Sequence, residues 1–338
     1  MTATPRAIPL NFFSIPFGIL GLADCWLGAA TFGLAPVAIG RVLTAVAMIV
    51  WVVVLVAYAD GVRRRGVSLA AQLADNVTGP FASLVLIVPM LAAADVLYPL
   101  DHAAGMVVVD VLVVATVLLA GWFTGQWIYR PPPLASLHPG YFLPSVAGGL
   151  LAAASAALVG QIGLAQVLFG LGVLCWIVLG SIILGRLMLG PALPAALTPT
   201  IAIEVAPAAV ASFAAFAING NRVDTPVRLL AGYGLLMVVA QVRLLPAYRR
   251  LPFMPSFWAF TFSWAAVATA GLSWLGISHP SGWRLASCLV LALISAFVGA
   301  IAVRTAVALW RGQMLPAAKA SVRPAAPASS PVGSPAQA

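Results

Sequence analysis

The chain has 338 residues, of which 62% are hydrophobic and only 7% are charged. A soluble domain carries about 25% charged residues, so this composition excludes a water-exposed surface and indicates a polytopic membrane protein. The formal net charge of +9 does not indicate a nucleic-acid partner, because the basic residues mostly lie at the ends of apolar stretches.

Ten apolar stretches are close to the roughly 20 residues that a helix needs to cross the hydrocarbon core. The predicted spans, numbered 1 to 10, are residues 12–33, 36–58, 79–100, 104–127, 142–160, 163–187, 198–219, 226–246, 257–277 and 284–309. We therefore predict an all-α membrane domain over residues 1–311, with the spans paired as five hairpins. Residues 312–338 are rich in Ala, Pro and Ser and are expected to form a disordered cytoplasmic tail.

Proline residues fall inside alternate spans. Pro16, Pro89, Pro144 and Pro207 lie in spans 1, 3, 5 and 7, whereas the even-numbered spans have proline at their ends or not at all. A proline inside a helix removes one backbone hydrogen bond and bends the axis. Because a freed carbonyl needs another partner in lipid, the pattern predicts straight outer helices around bent inner ones that enclose a central pathway.

Basic residues are distributed unequally between the two faces of the predicted bundle. With the N-terminus inside, 13 basic residues lie on the inner face and 4 on the outer face. The positive-inside rule then places both termini in the cytoplasm. The outer four are Arg41, Arg222, Arg228 and Arg284.

Several carboxylates lie at membrane depth, where an ionisable side chain is costly and usually faces the bundle interior. Glu204 in span 7 is either a proton-coupling or substrate-sensing group, or a carboxylate bound to backbone that the prolines free. Asp24 in span 1 presents the same choice, and Asp95 and Asp110 are expected in solvated positions near the outer face. If anions pass, these acids must be paired, protonated or off the axis.

An aromatic cluster, residues 257–264, opens span 9. Trp258 and Phe262 are four residues apart and share one helical face, and Phe260 and Trp264 share another. Aromatic residues in such a run usually pack or form an interfacial belt; the alternative is a plug in a narrow pore.

Motifs for catalysis, cofactors and metals are not found. The sequence has no HExxH, GxSxG or GxxxxGK motif, and His102, His138 and His279 are too scattered for a metal site. We therefore assign neither a cofactor nor an enzymatic activity.

Several motifs open the odd-numbered spans: FFSIPFGI at 12–19, HPGYFLPSV at 138–146, LPAALTPTI at 193–201 with VAPAAV at 205–210, and SFWAFTF at 256–262. Together these motifs resemble the tellurite-resistance/dicarboxylate transporter family, which includes the plant slow-type anion channels. The resemblance covers roughly residues 9–310.

The resemblance implies ten helices in five hairpins around a pseudo-fivefold pore, lined by the proline-bent odd helices. It also implies a homotrimer with one pore per subunit, occluded by a phenylalanine of the ninth helix. By position, that residue is Phe262, with Phe260 as the fallback. This chain has Ser263 where family members often have proline, so its ninth helix is expected to be less bent.

The favoured hypothesis is a channel or permease for small inorganic or organic anions in a bacterial inner membrane, closed by Phe262. The alternatives are a proton-coupled carrier for C4-dicarboxylate, sulfite or tellurite, with Glu204 or Asp24 as the protonation site, and a non-transporting membrane sensor. The sequence does not identify the anion.

Overall fold

The computed structural model describes residues 8–66 and 68–314. Within this part of the chain, ten helices are long and apolar enough to cross a membrane, as predicted. Their bounds, which replace the predicted ones from here on, are Leu10–Thr31, Val37–Arg64, Gly79–Leu100, His102–Tyr129, Pro139–Leu158, Ile162–Leu189, Thr198–Asn219, Thr225–Tyr248, Pro255–Ser278 and Trp283–Trp310. Residues 315–338 of the predicted tail lie outside the described residues.

The odd-numbered spans form the interior of the protein. In their most apolar stretches, 56% to 89% of the residues are buried, compared with 11% to 28% in the even-numbered spans. The even-numbered spans instead expose large apolar side chains such as Val111, Leu118 and Val178. Since lipid is the favourable environment for such side chains, the predicted division into inner and outer helices is confirmed.

The five inner spans contact one another in a closed ring. Span 1 packs against span 3, and the contacts continue through spans 5, 7 and 9 back to span 1. Spans 2, 4, 6 and 10 each pack across two neighbouring inner spans, whereas span 8 packs mainly on span 7. Odd-numbered spans all begin at one membrane face. We call it the basic face, because the predicted topology places 13 basic residues there.

Irregular helical turns are concentrated in the inner spans. Each inner span begins with a 3-10 segment: Leu10–Phe13, Gly79–Ser83, Pro139–Tyr141, Thr198–Val205 and Pro255–Phe257. Two π-helical segments follow, Ala93–Leu97 in span 3 and Leu143–Ala147 in span 5. The five outer spans are continuous α-helices. Span 9, which has no interior proline, is a regular α-helix over Trp258–Ser278.

Side-chain hydroxyls bond to the backbone near the starts of the inner spans. In four of the five inner spans, a serine or threonine near the start donates to the carbonyl three residues earlier. The bonds are Ser14 to Asn11, Ser83 to Pro80, Thr200 to Leu197 and Thr261 to Trp258. They give the hydroxyl groups a partner that the hydrocarbon cannot supply, and the carbonyls of Asn11 and Leu197 also accept backbone N–H groups.

The bend at Pro89 is compensated from an outer span. Pro89 has no N–H to donate to the carbonyl of Val85, four residues earlier. The indole Nε1 of Trp51 in span 2 donates to this carbonyl at 3.2 Å. An outer helix therefore supplies the hydrogen bond that the inner helix has lost.

We predict that Trp51→Phe destabilises the protein by about 1–3 kcal/mol, the usual effect of leaving a buried acceptor unpaired. The matched control is Trp122→Phe, because Trp122 is 39% exposed. Thermal unfolding of both variants in detergent or nanodiscs measures the difference, and equal melting temperatures would contradict the assigned role of Trp51.

Candidate functional site

A narrow cavity lies at the centre of the ring, and all five inner spans contribute to its wall. The volume that the centres of water molecules can occupy inside it is about 40 Å³. That is space for a few waters at most. Its lining lies near the start of spans 1, 3 and 9 and extends to about the middle of spans 5 and 7. These residues are Ser14, Phe17, Phe81, Leu84, Phe142, Leu143, Val146, Ala147, Leu150, Ile203, Ala206, Pro207, Val210, Trp258, Ala259, Phe262 and Ser263.

The wall of this central cavity is almost wholly apolar. None of the lining residues given above is charged, and the two serines already donate their hydroxyl groups to backbone carbonyls. Ser14 donates to Asn11 and Ser263 to Ala259, at 2.5 and 2.8 Å. A narrow apolar passage of this kind excludes hydrated ions by dewetting.

Two phenylalanine rings meet in the cavity. Phe17 of span 1 and Phe262 of span 9 stack with their ring centroids 3.6 Å apart and their planes at 14°. Phe262 was a predicted site residue, whereas Phe17 was not. The signal was present, because Phe17 directly follows Pro16 in the FFSIPFGI motif.

The fallback residue Phe260 lies elsewhere. It is not among the lining residues, and its ring packs edge-on against Tyr248 of span 8 at 4.9 Å and near Phe257 at 5.6 Å. Phe260 and Phe262 are both 6% exposed, so burial does not distinguish them. They differ in the direction in which their side chains leave the helix: Phe262 points to the cavity and Phe260 to Tyr248.

Close contact between spans 1 and 9 brings the two stacked rings together. A Cβ atom added to Gly18 would lie 1.8 Å from Thr261 Oγ1, and one added to Gly21 would lie 2.9 Å from Phe262 Cδ2. These glycines therefore allow close helix packing and do not widen the passage.

The predicted bend residues differ in their relation to the cavity. Pro207 lines it, whereas Pro16, Pro89 and Pro144 lie in the inner spans without lining it. Pro144 is part of the π-helical segment of span 5, and Pro207 is the second residue of the α-helix that follows the 3-10 segment of span 7. Irregular helix therefore coincides with Pro144 but not with the other three prolines.

Glu204 is buried away from the cavity. Its side chain is 2% exposed, and neither carboxylate oxygen has a hydrogen-bond partner among the described residues. It lies near Tyr233 and Tyr248 of span 8. Span 8 also binds this part of span 7 through Gln241, which donates to the carbonyl of Ile201 at 2.9 Å.

The other acids at membrane depth are partly buried and have polar neighbours. Asp24 of span 1 and Asp95 of span 3 adjoin each other, and Asp24 Oδ1 is buried without a hydrogen-bond partner in the described chain. Asp95, expected in a solvated position, is instead half-buried. Asp110 accepts a hydrogen bond of 2.8 Å from Gln161.

Comparison with known proteins agrees with this architecture. Residues 7–306 match the model of the voltage-dependent anion channel (SLAC1) family. The chain is also 27% identical over 310 residues to a tellurite resistance protein TehA homolog of Haemophilus influenzae, which covers 91% of this chain and 93% of that protein. Since the family match covers nearly all of the membrane domain, the resemblance drawn from the motifs is confirmed: the chain belongs to the voltage-dependent anion channel family, whose members are membrane transporters or channels.

Proposed function

We propose that each subunit conducts small anions through the centre of the ring of inner spans, and that the stacked rings of Phe17 and Phe262 form the closed gate. The observation that carries this proposal is the position of the stack, inside a cavity to which all five inner spans contribute. The pathway is then a pseudo-fivefold pore, and the cavity is its closed section.

The apolar wall supports conduction without tight binding. An ion must bind well enough to enter the pore and weakly enough to leave it. A lining without charged side chains lets the ion leave. Entry of the ion needs an attraction weaker than that of a charged side chain in the pore. Five inner helices begin at the basic face, and the positive ends of their dipoles favour anions there.

The positions of the acids fit the same proposal. Unpaired carboxylates along the pathway would repel the conducted anion. Glu204 faces span 8 rather than the cavity, and Asp24 and Asp95 lie together outside the lining. The cavity wall is therefore free of negative side chains.

We predict that Phe262→Ala raises anion conductance several-fold, because it removes one of the two rings that close the cavity. Phe260→Ala is the matched control, since it removes a phenylalanine ring from a different face of the same helix, outside the cavity lining. Currents from purified protein in planar bilayers, normalised to reconstituted protein, measure both. Equal currents from wild type and an assembled Phe262→Ala variant would remove this residue from the gate.

A second candidate is a proton-coupled carrier. It is favoured by the adjoining carboxyl groups of Asp24 and Asp95, because two neighbouring carboxylates tend to retain one proton between them. The buried Glu204 without a hydrogen-bond partner in the described chain is the other group that could bind a proton at membrane depth.

Flux into proteoliposomes separates these candidates. We expect chloride, nitrate, sulfite, malate or tellurite to move down its own gradient whether or not a pH gradient is imposed; tellurite is included because the relative is named for tellurite resistance. A channel keeps this behaviour in Asp24→Asn and Glu204→Gln. Uptake that follows the pH gradient and is lost in either variant would favour the carrier, and no flux of any anion would favour the sensor.

We also propose the cellular setting. The charge distribution supports an inner-membrane protein with both termini in the cytoplasm, although three of the inner-face residues, Arg6, Lys319 and Arg323, lie outside the described chain. A homotrimer is proposed from the resemblance alone, and it would leave one pathway in each subunit.

A further inference from the structure

A buried arginine lies at the end of an outer helix and has no acidic partner among residues 8–66 and 68–314. Arg186, in the last turn of span 6, is only 4% exposed. Its Nη2 donates to the carbonyl of Ala135 at 3.0 Å, whereas Nε and Nη1 are buried and have no hydrogen-bond partner among the described residues. A guanidinium group stays protonated in proteins, so this position holds a full positive charge.

The inward direction of Arg186 follows from the helix that carries it. Span 6 buries one stripe of residues every three or four positions: Ala165, Leu168, Gly172, Trp176, Gly180 and Ile183. Arg186 continues this stripe. Arginines at span ends usually extend towards water, as the exposed Arg243 of span 8 does at the same face.

Nearby acids do not neutralise the charge. Asp75 is exposed, and its Oδ1 accepts from the backbone N–H groups of Val77 and Thr78 and from the Thr78 hydroxyl. The ion pair found in the described chain joins Arg64 to Asp60 and does not involve Arg186. A buried charge without a counter-charge costs several kcal/mol, so a bound anion would stabilise the folded protein at Arg186.

His138 adjoins Arg186 and is neutral. Burial lowers the pKa of His138 to about 4, and the positive charge of Arg186 acts in the same direction. His138 is 0% exposed, and its Nδ1 accepts the N–H of Gly140 at 3.1 Å. The proton of the neutral ring is therefore on Nε2, and the imidazole presents no negative charge to the guanidinium.

The Arg186–His138 pair lies behind the wall of the central cavity. Phe81 lines that cavity, and its ring stacks on His138 with centroids 6.3 Å apart and planes at 20°. One aromatic side chain thus separates the pair from the basic-face end of the cavity.

We propose that Arg186 is the principal ligand of an enclosed anion-binding site at the basic face, which takes a small oxyanion or the phosphate group of a lipid. Both ligands offer the same chemistry, a compact negative charge with several acceptor oxygens, which guanidinium groups bind well. The site is distinct from the proposed gate and does not depend on conduction through the ring.

Thermal unfolding tests the site without a transport measurement. We expect inorganic phosphate or sulfate, at constant ionic strength, to raise the melting temperature of the protein saturably in phosphatidylcholine nanodiscs. Arg186→Gln should weaken this effect by about tenfold or more in apparent affinity, the usual contribution of hydrogen bonds to a charged group. Arg243→Gln removes an exposed charge at the same face and should leave the effect unchanged.

A second experiment, with anionic lipid, distinguishes a free oxyanion from a lipid phosphate. If the site holds a lipid phosphate, phosphatidylglycerol nanodiscs should stabilise the wild type but not Arg186→Gln, and native mass spectrometry should show an anionic lipid retained by the wild type alone. Stabilisation by neither phosphate, sulfate nor anionic lipid, or equal stabilisation of both proteins, would overturn the proposal.

A wild-type experiment covers the case in which Arg186→Gln does not fold. Crystals soaked in selenate should show an anomalous peak in contact with the Arg186 guanidinium, unless a retained lipid phosphate occupies the same position in the density. Water alone at Nε and Nη1 would overturn the site.

Discussion

Irregular inner helices can cross a membrane only if each carbonyl that they free finds a partner inside the protein, and this constraint underlies the whole structure. Serine and threonine hydroxyls satisfy carbonyls at the starts of four inner spans, and Trp51 reaches the carbonyl that Pro89 leaves free. The hydroxyl groups belong to the inner spans themselves, and Trp51 belongs to one of the continuous outer helices that enclose them. Both irregular turns and regular α-helix contribute to the wall of the central cavity.

Charge is arranged around the cavity rather than on it. Glu204 faces span 8, the Asp24–Asp95 pair lies outside the lining, and His138, which adjoins Arg186, stacks on Phe81. An apolar wall surrounded by fixed charges can be selective through the electric field alone, because low-dielectric surroundings transmit that field with little screening. The proposed conduction and the proposed anion site both use this arrangement, one inside the ring and the other beside it.

The number, order and burial of the spans were predictable because they depend on local sequence. A stretch of about 20 apolar residues must cross the hydrocarbon core, and prolines in alternate stretches must be buried where their carbonyls find partners. Boundaries agreed to within a few residues for most spans. The π-helical segments at Ala93–Leu97 and Leu143–Ala147, and the bond from Trp51 to Val85, depend on neighbouring helices and were not predicted.

By itself, the sequence determined the membrane class, the ten spans, the inner and outer helices and, through its motifs, the family. Tertiary structure alone decided which side of each helix faces the cavity. It separated Phe262 from Phe260, brought Phe17 into the stack, and placed Asp95 beside Asp24. The physical reason is that the rotation of a helix about its axis is set by packing, here by Gly18 and Gly21 against span 9, and an all-apolar helix carries little sequence signal for that rotation.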